Sequence, residues 1–107
     1  MGESLMRDAP KLVRDGVPAI IDASGKHAVT RVLGESEMTL ALRHKLQEET
    51  SEYLDDPCLE ELGDILEVIH ALLGSHHATW DQLEAVRIAK RSTHGGFEER
   101  VLLIDVQ

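Results

Sequence analysis

The stretch HKLQEETSEYLDDPCLEELGDILEVIHALL, residues 44–73, decides the fold. Its two halves each carry apolar residues at helical spacing, and Pro57 divides them. In the first half, Leu42, Leu46 and Tyr53 share one stripe with Met38. The slot three residues after Leu46 and four before Tyr53 belongs to the same stripe, yet it holds Glu49. In the second half, Leu59, Leu62, Leu66, Ile69 and Leu73 form one stripe, and Ile65, Val68 and Leu72 form another, headed by Glu61. A helix with two apolar stripes packs on two sides.

The spacing predicts one helix over about 37–54, with Ser36 as N-cap, and a second over about 57–74. Pro57 disfavours helix at Asp56 and suits the first turn of the second helix. A break this short predicts an antiparallel helix hairpin. In such a hairpin, Glu49 stands level with Asp64, and Glu52 level with Glu61. Within each helix the two acids are three apart, hence on one face.

Outward from the hairpin the signals are weaker. A short helix over Pro18–Ser24 ends at Gly25. HAVTRVL, residues 27–33, alternates enough for a short strand. Thr79 and Gln82 form a capping box for a helix to about Arg91, which HGG stops. FEERVLLIDV, residues 97–106, is apolar and β-branched enough for a closing strand. The expected fold class is all-α: a helical bundle built on the hairpin, with short peripheral strands, in an oligomer. Residues 1–10 are expected to be a flexible N-terminus and 11–107 a single domain. Two stripes on one helix exceed what three helices can cover, so a homodimer or homotetramer is expected to bury one of them.

Composition supports this frame. The chain has 107 residues, 42% hydrophobic but only 3% aromatic, so Leu, Ile, Val and Ala must supply the core. The formal net charge of −9 disfavours nucleic acid or an anionic membrane as a partner. One cysteine, Cys58, cannot close an internal disulfide and points to a reducing compartment. No secretory signal or spanning apolar run is evident, so a cytoplasmic location is expected.

Most helical acids face solvent, and Glu60 and Glu67 fit that pattern. Burying several unpaired carboxylates, by contrast, costs several kcal/mol each. Internal cations are few: Arg43 and Lys45 lie on the first helix and residues 46–86 contain no Lys or Arg, so the cluster is expected to be neutralised from outside. Four or five hard oxygen ligands suit Mg²⁺ or Mn²⁺. Glu67-x-x-His70 is the half-motif of di-iron carboxylate bundles, but no second copy accompanies it.

Glu49-x-x-Glu52 followed by Glu61-x-x-Asp64 on a helix hairpin resembles the all-α nucleoside triphosphate pyrophosphohydrolases, among them MazG, dimeric dUTPases and phosphoribosyl-ATP pyrophosphatase. KLVRDGVP (11–18), EELGDILEVIHALL (60–73) and KRSTHGGFEERVLL (90–103) look like the small MazG-like, house-cleaning branch. The resemblance covers about residues 11–106. The eight-residue gap from Tyr53 to Glu60 is short for MazG proper, and His94 stands where that branch has a positive charge. The resemblance implies that Glu49, Glu52, Glu61 and Asp64 hold Mg²⁺ (or Mn²⁺) against a nucleotide triphosphate, and that Glu48 orders or deprotonates the attacking water. Lys11, Arg14, Lys90 and Arg91 are candidate phosphate contacts. The rival expectations are phosphoribosyl-ATP pyrophosphatase activity and a non-catalytic helical interaction module.

Overall fold

The computed structural model describes residues 10–107, so the expected flexible N-terminus lies almost wholly outside the described residues. The described chain is all-helical: α1 (Val17–Ala23), α2 (Glu35–Asp55), α3 (Leu59–Ser75) and α4 (Trp80–His94). No helix among the described residues is long and apolar enough to cross a membrane.

Local chemistry sets the helix ends. α1 carries Pro18 in its first turn, and the chain leaves it through Gly25 at φ 91°, a left-handed conformation that favours glycine. α2 begins two residues before the expected start. Gly34, not Ser36, is its N-cap, because the Glu37 carboxylate reaches back to accept from the Gly34 N–H at 3.1 Å. Asp56, ahead of Pro57, is non-helical at φ −143° and ψ 79°. α3 then starts at Leu59 with Cys58 as N-cap, so Pro57 lies before the helix instead of in its first turn. Thr79 and Gln82 form the expected reciprocal cap on α4, with bonds of 2.8 and 3.2 Å. α4 runs one turn beyond Arg91, to His94, and Gly95 at φ 83° ends it.

α2 and α3 are the one helix pair among the described residues in extensive contact. Near the start of α2, the Thr39 hydroxyl lies 3.2 Å from that of Ser75 at the end of α3. Near the end of α2, Glu49 meets Glu61 and Asp64 at the start of α3. The two helices therefore run alongside each other in opposite directions. Leu42 and Val68 are the buried apolar side chains of this contact. Of the two α3 stripes, the one containing Val68 faces α2, while Leu59, Leu62 and Leu66 of the other are exposed. α4 is attached near its start by His70, whose ring stacks on Trp80 at 4.3 Å between centroids.

The two expected strands are absent among the described residues. Residues 26–34 and 101–107 are neither helix nor sheet. A strand needs a neighbour for its N–H and C=O groups, and neither segment has one among the described residues. The C-terminal segment is also interrupted by a turn, in which the Arg100 N–H donates to the Phe97 carbonyl and Arg100 adopts φ 57°. The Cα radius of gyration is 18.1 Å, against about 13 Å for a compact chain of this length.

Candidate metal centre

Glu49 occupies a core position. It is 6% exposed, comparable with Leu42 and Val68. The helical register of α2 places it there, as the stripe of Leu42 and Leu46 requires, and α3 closes over it. One carboxylate oxygen each from Glu49, Glu61 and Asp64 lie within 4.8 Å of one another. Glu61 Oε1 is buried and has no hydrogen-bond partner. Loss of hydration raises the Glu61 pKa above the usual carboxylate range, and the charges of Glu52, Asp64, Glu49 and Asp56 add to it. Glu52 is thus electrostatically part of the group, though it is exposed and stands outside the three-oxygen cluster.

Cations from this chain neutralise part of the cluster, Lys45 on the same helix among them. Lys45 bridges two acids: its Nζ lies 2.9 Å from Glu48 and 3.3 Å from Glu49. Burial works against the Lys45 charge, but its hydrogen bonds to Glu48 and Glu49 and their charges outweigh burial and raise its pKa. Arg14 approaches Asp64 to 2.6 Å, and Lys11 lies 3.4 Å from Glu48. The hydrogen bond from Lys45 holds the Glu48 carboxyl below its ordinary range despite partial desolvation, and Lys11 contributes further. The Lys45 role was readable from its spacing, since residues three and four apart on a helix are neighbours. The approach of Lys11 and Arg14 was not, because they lie on the segment leading into α1, about 50 residues from Asp64 in the case of Arg14.

Among the described residues neither Lys90 nor Arg91 forms an ion pair with these acids. Arg91 pairs instead with Glu98 at 3.1 Å. A second close group, unforeseen from sequence, joins Asp56, Cys58 and Glu61 at the turn, with Asp56 exposed.

The donor set fits a hard divalent cation. Three carboxylates converge, one oxygen is buried and unpartnered, and three cations leave the five acids Glu48, Glu49, Glu52, Glu61 and Asp64 in excess. No protein-family model matches the chain, and neither curated proteins nor solved structures give a significant match.

Proposed function

We propose that the chain is a metal-dependent nucleoside triphosphate pyrophosphohydrolase, a single domain over residues 11–107, that cleaves an NTP or dNTP, non-canonical ones included, to the monophosphate and pyrophosphate. The observation that carries this proposal is the convergence of Glu49, Glu61 and Asp64, with the unpartnered Glu61 oxygen among them. The sequence resemblance supplies the reaction class, and the cluster supplies a place for the ions it requires.

Glu49, Glu61 and Asp64 would hold Mg²⁺ or Mn²⁺, with Glu52 joining from the flank. Such an ion neutralises phosphate oxygens and makes water more acidic. The water oxygen forms a bond to the α-phosphorus while the bond from that phosphorus to the pyrophosphate oxygen breaks. Glu48, beside the cluster, orients this water and accepts its proton. Lysine contacts lower the basicity of Glu48, so orientation is its larger contribution. Arg14 and Lys11, now paired with acids, can exchange those partners for phosphate oxygens, Arg14 in bidentate fashion. The assignment of Lys90 and Arg91 to phosphate rests on the resemblance alone. The exposed second stripe of α3 makes a homodimer or homotetramer part of the same proposal, with the helix pair as the core of its bundle.

The test is a panel of ordinary and modified NTPs and dNTPs, with phosphoribosyl-ATP included, incubated with Mg²⁺ or Mn²⁺ and scored for pyrophosphate. Turnover that chelator abolishes is expected. Cleavage confined to phosphoribosyl-ATP would reassign the substrate. No turnover, with a melting temperature insensitive to Mg²⁺, would favour the non-catalytic interaction module.

A further inference from the structure

We infer that the C-terminal arm, Val101–Val106, docks on a second copy of the chain, in the groove between its α3 and α4. This inference is independent of the chemistry proposed above. Val101, Leu102, Leu103, Ile104 and Val106 are all at least three-quarters exposed, yet five apolar side chains in six residues are ill suited to water. The groove is apolar, with a volume of about 320 Å³, and is lined by Leu66, Ile69, Trp80 and Leu83 with Glu84 and Arg87 at its edge. An extended six-residue arm spans about 20 Å and places Leu102, Ile104 and Val106 on one side.

Exposed area argues for a second copy as the occupant. The chain exposes 9483 Å², whereas a folded monomer of this mass exposes about 6,000 Å². Allowing residues 1–9 their whole unfolded area, about 1,400 Å², still leaves about 2,000 Å² in excess. That is the scale each subunit of an obligate homodimer buries. The arm does not lie in its own groove, since its apolar side chains stand exposed. The Arg91–Glu98 ion pair and the turn from Phe97 to Arg100 fix its base at the far end of α4. The groove uses residues from the first half of that helix.

Two measurements test this on the full chain. Light scattering at micromolar concentration should give a dimer or larger assembly, and Ile104→Asp should raise its dissociation constant at least about 30-fold. The second measurement combines Ile104→Cys and Leu83→Cys in a Cys58→Ser background and treats the protein with a short bismaleimide. A covalent dimer is expected. A monomeric wild type, an unchanged dissociation constant for Ile104→Asp, a crosslink within one chain, or no crosslink would each overturn the proposal.

Discussion

The α2–α3 pair and the C-terminal third of the chain invert the ordinary partition of residues in opposite senses. In the first, a carboxylate is as buried as the leucine and valine of the core. In the second, Phe97, Val101, Leu102, Leu103 and Ile104 stand in solvent. A buried acid and an exposed apolar run are both unfavourable in an isolated chain. Each would become favourable with a partner of the kind proposed above: a cation for the acids, an apolar surface for the arm. The difference teaches that stability is distributed unevenly here. The helix pair holds a thin core interrupted by charge, and the area that would complete a domain of this length lies outside it.

The largest effect is expected at the charged end. Glu49→Gln keeps the side-chain shape and removes the charge, so metal-dependent turnover should fall on the order of 1000-fold, close to 4 kcal/mol in activation free energy. Circular dichroism should show the helices intact. Activity within threefold of the wild type would remove Glu49 from the metal centre.

Core truncation comes next and sharpens the contrast between the regions. Leu42→Ala should cost about 2–3 kcal/mol in urea unfolding, because its methyl groups are enclosed between α2 and α3. Val86→Ala on the exposed face of α4 should cost less than about 0.5 kcal/mol. Equal losses would mean that the two regions do not differ in burial in solution.

Replacing Glu49 by Leu breaks the comparison from the other side, by making the buried slot apolar. In chelator, Glu49→Leu should be more stable than the wild type by about 1–2 kcal/mol. Lys45 keeps Glu48 as a partner in that variant, so it is not stranded. With saturating Mg²⁺ the order should narrow or reverse, since the wild type alone gains the full binding free energy. A variant less stable even in chelator would show that the Lys45 pair outweighs the desolvation of Glu49.

The smallest effect is expected at an exposed acid, Glu37, which serves as a control for the buried ones. Hydrogen bonds from Arg31 and from the Gly34 N–H, with the Arg31 charge, hold its pKa at about 2. The unfolded value is about 4.3. Because the folded value is the lower, this group's stabilisation is complete above the unfolded value and is lost as pH falls through the folded one. Glu37→Gln should therefore lower the melting temperature slightly at pH 6, with the difference from the wild type shrinking steeply as pH falls from about 4 towards 2. It should also shrink with added salt, as expected for an exposed ion pair. A difference as large at pH 2 as at pH 6 would assign the effect to the helix cap instead of the charge.

The sequence by itself determined the elements that depend on neighbours along the chain. The apolar spacing of α2 and α3 and the extended backbone demanded at Asp56 by Pro57 were legible there, as were the Thr79–Gln82 cap and the glycine stops at Gly25 and Gly95. So was the burial of Glu49, because helical register alone sets it between Leu46 and Tyr53. The glycine cap of α2 was not legible, since Ser36 and Gly34 both suit an N-cap and the reach of Glu37 chose between them. Only the tertiary structure decided what depends on distant segments. It brought Arg14 to Asp64 and Lys11 to Glu48, so two residues read from the sequence as phosphate contacts pair with acids of the hairpin. It paired Arg91 with Glu98 instead of an acid of the cluster. It also left 27–33 and 97–106 without sheet, for β propensity is realised only when a second strand lies alongside, and that second strand is a long-range fact which no local pattern contains.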